Sequence, residues 1–460
     1  MAAAQTSRGV SADIEIPKVV LILVTLALAL FGCVMVYSAS APSAISESGD
    51  AAAYLRDQLV FVVLGLAVAF IAWKVIPYRW WTGWFSQALW VLGLILLLLT
   101  AVMGVAALGA QRWLVIGPIS LQPSEFVKIA VVLMAARIFS DRRAGAIDDR
   151  VFWVQVIVYL VVPVGLILTT QSDLGSSVII LVGILAVMWL GEVPVRYILA
   201  LVALLVIGAI LATVMSSYRS GRFLYLNPWN DGQNGQGDGY QIIHSYYAFS
   251  EGGIFGVGLG NSREKFLYLP ESETDFIFAV IGEELGMVGA LLVIAAFVVM
   301  LWAGMRIARA AFDDFGAMVA GGLMVMLVFQ AFLNIGCVIG VFPTTGKPLP
   351  FISSGGSSMI ASFGMIGIVL SVADEAASPS IYQKRRDDLR IVKQERDARG
   401  GSAPSGRSGS LGRGSSYRSN DRYESSYRSS GGYENSYGRA GASASRYHAH
   451  ATAAHNSRRR

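Results

Sequence analysis

Cysteine, histidine and charge are all scarce in this 460-residue chain, and each shortage closes off a class of chemistry. The two cysteines, Cys33 and Cys337, both fall inside apolar runs, so they read as buried thiols and not as a disulfide framework or a metal cluster. Of the four histidines, His448, His450 and His455 lie near the C-terminus, which leaves His244 alone in the body of the chain. A histidine-based zinc site or a histidine-driven catalytic triad is therefore all but excluded. Charged residues amount to 15% against 54% hydrophobic ones, too few for a soluble globular chain.

What the chain does have is a succession of apolar runs long enough to cross a bilayer. They cover 18–38, 55–76, 84–104, 124–140, 152–171, 174–191, 195–215, 276–305, 315–341 and 355–373. The expected fold is an all-α polytopic membrane protein of about ten transmembrane helices. A large extracellular loop, 216–275, is expected between helices 7 and 8. The first run has no small-residue cleavage site and is followed by further spans, so it reads as a retained helix. Pro163 predicts a kink in the fifth run. Short-loop basic residues such as Lys74, Arg142, Arg143, Arg196 and Arg306 gather on one side, which predicts a cytoplasmic-membrane protein with both termini in the cytoplasm.

Three segments follow: an N-terminal cytoplasmic arm (1–16), a membrane domain (17–375) and a cytoplasmic tail (376–460). The tail is dominated by Ser, Gly, Arg and Tyr and cannot bury enough apolar surface to offset its chain entropy, so disorder is expected. It reads as a solvated tether, against the alternatives that its arginines contact RNA or anionic lipid head groups; no nucleic-acid partner is expected.

Chemistry concentrates in Tyr268–Gly286, which sets Glu271, Glu273, Asp275, Glu283 and Glu284 at the mouth of a long apolar helix. If that helix is continuous, Asp275 stands roughly 15 Å above Leu285, clear of the hydrocarbon. Two turn-rich loops on the same side, 109–125 and 343–356, are too polar to span and suit the lining of a cavity. Arg112, Lys128, Arg219, Arg222, Arg263, Lys265 and Lys347 are the cations available on that side. Ser353, Gly355 and Gly356 precede a helix whose first amides suit an anion.

These stretches together resemble the SEDS family of shape, elongation, division and sporulation proteins (FtsW, RodA, SpoVE). The matching segments are Gln111-Arg-Trp113, Gln122-Pro-Ser-Glu-Phe-Val-Lys128, Gln171-Ser-Asp-Leu-Gly175, Asn227-Pro-Trp229, Gly239-Tyr-Gln241, Gly252–Gly260, Leu269–Phe278 and Gly282-Glu-Glu-Leu-Gly286. The likeness spans roughly 17–375 and leaves the tail uncovered. Within the family, Gly258–Ser262, Lys265 and Tyr268-Leu-Pro270 are more similar to the FtsW branch than to RodA. Ser172, Glu273, Leu267 and Ser354 depart from residues common in the family.

The resemblance implies a peptidoglycan glycosyltransferase that polymerises lipid II, an undecaprenyl-pyrophosphate-linked disaccharide-pentapeptide, at the outer membrane face during division. It implies work beside a class B penicillin-binding transpeptidase, an FtsI-like partner, and other divisome membrane proteins at the septum. It also makes Asp275 the essential acid and implies a divalent cation, Mg2+ or Mn2+, although no ligand cluster is visible. The rival functions are a RodA-like elongation polymerase, a lipid II flippase, or a scaffold that activates its transpeptidase.

Such a transfer needs a base, positive charge for the departing pyrophosphate, and a groove that aligns two lipid-linked substrates. Asp275 is the candidate base, against the alternative of a helix N-cap. Lys128 is divided evenly between pyrophosphate and an ion pair with Glu125 three residues earlier. Arg112, Arg222, Lys265 and Lys347 are further candidates for the diphosphate, and Arg219 and Arg222 also suit interfacial anchors. Trp113 suits a sugar face or an aromatic belt. Glu271 and Glu273 suit proton sharing, a divalent cation or a solvated acidic loop. Asp173 reads as an N-cap or structural partner, and Glu283 and Glu284 as organisers of their helix end.

Overall fold

The computed structural model describes residues 2–107, 110–116, 119–203, 227–233, 235–237 and 239–377. Arg219, Arg222, most of the seventh apolar run, much of the long loop and the tail from 378 onward lie outside the described residues.

The chain opens with α1 (Ala2–Ser48), so residues 2–16 are helical and run on into the first span. There follow α2 (Ala53–Phe70), extended by a π-helical turn at Ile71–Val75, the short α3 (Tyr78–Trp81) and α4 (Trp84–Met103). A small antiparallel sheet comes next: β1 (Val105–Ala107), β2 (Ala110–Ile116) and β3 (Ile119–Leu121), in the order β1-β2-β3. Its register pairs Val105 with Trp113 and Leu114 with Leu121. The loop expected only to be turn-rich is thus a pair of hairpins, which satisfies its backbone groups internally.

After the sheet come α5 (Pro123–Arg143), α6 (Asp149–Val156), a π-helical turn (Ile157–Val161), α7 (Val162–Thr170) and α8 (Leu174–Leu190). The widened turn lies just before Pro163, whose ring and missing N–H disrupt a regular ladder. The last helices are α9 (Tyr240–Gly252), α10 (Ile277–Glu284), α11 (Gly286–Arg309), α12 (Asp314–Val338) and α13 (Gly356–Ala377). Asp148, Asp173 and Asp313 cap their helices by accepting from the backbone N–H of Val151, Ser176 and Gly316.

Among the described residues seven helical segments are long and apolar enough to cross a membrane: Ile14–Ser48, Ala53–Val75, Trp84–Met103, Asp149–Thr170, Gly286–Arg309, Asp314–Val338 and Gly356–Ala377. The expected ten are not all counted, for three separate reasons. The run at 124–140 forms α5, which carries Glu125 and Lys128 and is buried along most of its length. The run at 174–191 forms α8, a shorter apolar helix, and the run at 195–215 leaves the described residues after 203.

The run at 276–305 is not one helix. It breaks at Leu285–Gly286, where Gly286 takes φ +68°, open to glycine and strained for other residues. The backbone of Gly253–Gly258 fills the break: Val257 and Gly258 donate to the carbonyls of Glu283 and Glu284, and Met287 and Val288 donate to Gly253 and Ile254. The height of Asp275 is therefore set by this joint and not by a straight helix.

α12 is the central column, packed against α5, α8, α11 and α13, and its residues are almost all buried. Peripheral helices turn apolar side chains outward, as with Val60, Val63, Leu92, Ile95, Leu291 and Leu292, as a helix facing lipid must. α12 ends and α13 begins beside the sheet and the 343–356 loop, where Asn334 donates to the Lys347 carbonyl and Ser357 to the Ser120 carbonyl.

Candidate active site

Residues 271–276 form a tight turn. Thr274 and Phe276 both donate their N–H to the Glu271 carbonyl, and Glu271 takes φ +57°. Regular helix begins only at Ile277, and the N-cap position is Phe276, which has no side-chain cap. Asp275 is therefore not the N-cap of this helix, and its carboxylate is left for other work.

The turn is gripped from outside by three successive carbonyls. Glu273 accepts from the Ser354 N–H at 2.9 Å. Thr274 accepts from Ser353 Oγ at 2.6 Å, and Asp275 from Asn334 Nδ2 at 2.8 Å. The loop 343–356 thus backs the acidic turn. Gly346, at φ +66°, passes so close that a Cβ there would stand 3.4 Å from Asp275 Oδ2.

Asp275 keeps part of its surface open while protein surrounds most of the carboxyl. Burial is the first reason its pKa rises to about 6, and the charge of Glu271 adds to it. Lys347 and Arg112 pull the other way. A carboxylate poised there is a good general base near neutral pH. Glu273 is also pushed above the usual carboxylate range, by burial first and then by Glu271 and Glu47.

The expected cations do not stand free. Lys347 is buried and pairs with Asp173 at 2.7 Å. Burial works against the ionised form of Asp173, yet Lys347 and the Ser176 N–H hold that carboxyl below the usual range. Lys128 pairs with Glu125 at 2.5 Å and donates to Gln330 Oε1 at 2.7 Å, with both charged side chains 1% exposed. Lys265 pairs with Glu284 at 2.8 Å and donates to Ser38 Oγ at 3.2 Å. Each lysine expected at a diphosphate is thus buried against its own acid, because an unpaired buried ammonium is far costlier. The pairing reading of Lys128 is the one that describes its contacts.

Arg112 differs. Its Nε donates to the Gln171 carbonyl at 3.0 Å and an Nη to the Ser172 carbonyl at 3.2 Å, so among the described residues it bonds to carbonyls and not to an acid, while its field reaches both Asp173 and Asp275. Trp113 follows it on β2 and points to the other face of the strand, partly exposed. Ser353 accepts from the Leu349 N–H while donating to Thr274, so it braces the loop. Gly355 and Gly356 are partly exposed at the start of α13, and a Cβ on Gly356 would lie 2.5 Å from the Phe61 ring.

Two residues escaped the sequence reading. Gln330 and Asn334 sit one turn apart on α12; Gln330 Nε2 donates to the Pro348 carbonyl at 3.1 Å, and Asn334 Nδ2 to the Lys347 carbonyl at 2.8 Å. Two amides spaced i, i+4 in an apolar run were the available signal. For a divalent cation, no group of three or more His, Cys, Asp or Glu among the described residues converges to hold a metal. The acidic turn does not fit a protein-built cation site.

A family described as "Cell cycle protein" (FtsW/RodA/SpoVE) matches residues 18–378. The chain is 38% identical to Stage V sporulation protein E of Bacillus subtilis over 360 residues, covering 78% of this chain and 97% of that protein. It is 40% identical to a probable peptidoglycan glycosyltransferase FtsW of Geobacter metallireducens over 366 residues, covering 78% and 96%. Among solved structures it is similar to a chain of a peptidoglycan synthase complex that coordinates polymerization and crosslinking, with TM-score 0.62, 28% identity and coverage of 78% and 98%. The rod shape determining protein RodA of Thermus thermophilus is similar at TM-score 0.58 and 27% identity, covering 78% and 97%.

Proposed function

This chain belongs to the FtsW/RodA/SpoVE family of cell cycle proteins, and from that premise we propose how its site works. The chain is a multi-pass membrane peptidoglycan glycosyltransferase of the FtsW kind. Its substrate is lipid II, and Asp275 is the base. The Asp275 carboxylate takes the proton of the acceptor sugar hydroxyl as that oxygen attacks the anomeric carbon of the donor. The bond from that carbon to the diphosphate breaks, and undecaprenyl pyrophosphate leaves with the electron pair.

The observation that carries this reading is the Asp275 turn: an uncapped carboxylate, partly open, raised to about 6 by burial and held on a gripped backbone. Arg112 supplies the positive field for the leaving diphosphate. Trp113 offers a face for a sugar ring. The paired lysines hold the walls in register rather than touching the leaving group. Any Mg2+ or Mn2+ would arrive with the diphosphate, and no step above runs through it.

The site faces the outer leaflet in this proposal, with both termini cytoplasmic, a class B transpeptidase alongside, and the septum as the place of action. Purified protein supplied with labelled lipid II and no ion gradient should make glycan ladders. Transport of lipid II across vesicles without ladders would sink the polymerase reading in favour of a flippase.

A further inference from the structure

We propose that Asn334 is a positioning residue for the transfer reaction: from α12 it ties the backbone of Asp275 to that of Lys347 and so fixes where the base stands. This rests on Asp275 being the base. One amide group, Nδ2, donates at 2.8 Å to the Asp275 carbonyl and at 2.8 Å to the Lys347 carbonyl. Those carbonyls belong to segments 72 residues apart in sequence, so no local turn can hold them together.

The donor is rigidly mounted. Asn334 is 2% exposed and lies on the largely buried central helix α12, a turn before its end at Val338. One turn earlier Gln330 donates to Pro348, the residue after Lys347, and accepts from Lys128. The two amides form a short ladder from the Glu125–Lys128 pair to the acidic turn. The same turn is braced by Ser353 and Ser354 on its two preceding carbonyls, so Asn334 closes the last open point of the grip.

Its other polar atom argues for position over stability. Asn334 Oδ1 is buried with no hydrogen-bond partner among the described residues. A residue kept only to stabilise an apolar helix gains nothing from an unsatisfied acceptor, and a leucine, with the same branched side-chain skeleton, would remove it. What leucine cannot do is hold two carbonyls at a common distance.

The test is Asn334→Leu in the full-length protein, assayed by initial rates of ladder formation against lipid II concentration and pH. The branched skeleton is retained and both hydrogen bonds are lost, so the expected result is kcat lower by about 10- to 100-fold, as misplacement of a reacting group by about 1 Å gives. KM should stay within about threefold, and the acid limb of the rate profile should move by about half a unit or more, because the carboxylate has left its fixed distance from Lys347. Wild-type kcat with an unmoved limb would overturn the proposal. So would a loss that disappears on assay at lower temperature and tracks the melting midpoint, which would mark a structural role alone.

Should Asn334→Leu not fold, Ser353→Ala removes the neighbouring grip on Thr274, and the same split of kcat from KM is expected in milder form. Unchanged kinetics there would count against the clamp. Asp275→Asn is run in parallel: if it stays active, the base assignment fails, whereas a dead Asp275→Asn beside an unaffected Asn334→Leu fails the clamp alone.

Discussion

Replacing Glu271 by Gln should shift the acid limb of polymerisation downward. With Asp275 near pKa 6, about a tenth of the base is ionised at pH 5 and about nine-tenths at pH 7, so rate at subsaturating lipid II should fall roughly tenfold between them. An Asp at its ordinary 3.8 would lose only about 6%. Glu271 is the second cause after burial and is itself exposed, so solvent screening limits what its removal returns to about one unit. Relative to its own pH 7 rate, Glu271→Gln should then keep about two- to fivefold more activity at pH 5 than the unaltered chain. The residue is exposed and keeps its hydrogen bond from Thr274 as an amide, so the fold should tolerate it. The assay is ladder formation from labelled lipid II across pH 4.5 to 8. A limb that stays put, moves upward, or begins near 4 in the unaltered protein would refute the placement of Asp275 beside Glu271. The sign for stability is separate: a carboxyl raised in the fold favours the folded state below its unfolded value, and that contribution is lost as pH rises through about 6.

Other outcomes follow from the same contacts. Asp275→Asn should cut the ladder rate by about 10²–10⁴ while leaving the melting midpoint within a few degrees, checked by gel and thermal melt. Lys128→Ala should strand Glu125 in the core and cost about 3–5 kcal/mol, seen as a lower melting midpoint in detergent whatever happens to activity. Gly346→Ala should lower kcat, because it strains a backbone at φ +66° and sets a methyl against Asp275 Oδ2; an unaltered rate would show that the loop is free to retreat.

Features set by near neighbours in the chain could be read from the sequence. Asp173 ahead of Leu174-Gly-Ser-Ser predicts a cap, and the Ser176 N–H is bonded to it. Glu125 and Lys128, three apart at a helix start, offer the pair that forms as one of two even readings. Features set by distant packing could not. Lys347 meets Asp173 across 174 residues, and nothing in either neighbourhood marks the other. The Asp275 cap was a fair expectation from Asp-Phe-Ile-Phe, but the external grip on three carbonyls holds the turn open and moves the helix start to Ile277. The hairpins at 105–121 were masked by their glycines and prolines, which mark turns equally well in a re-entrant loop. The run at 124–140 reads as a lipid-facing span, whereas α5 is buried along most of its length with Glu125 and Lys128 paired inside the protein.

The pairing of each interior lysine with its own acid also has an electrical meaning. A unit charge moved across the full membrane voltage gains or loses about 2.3 kcal/mol per 100 mV. Lys128–Glu125, Lys265–Glu284 and Lys347–Asp173 are dipoles without net charge, so an applied field has almost nothing to grip in them. Strand synthesis should therefore run at the same speed in energised and in uncoupled vesicles, drawing its drive from the diphosphate bond alone.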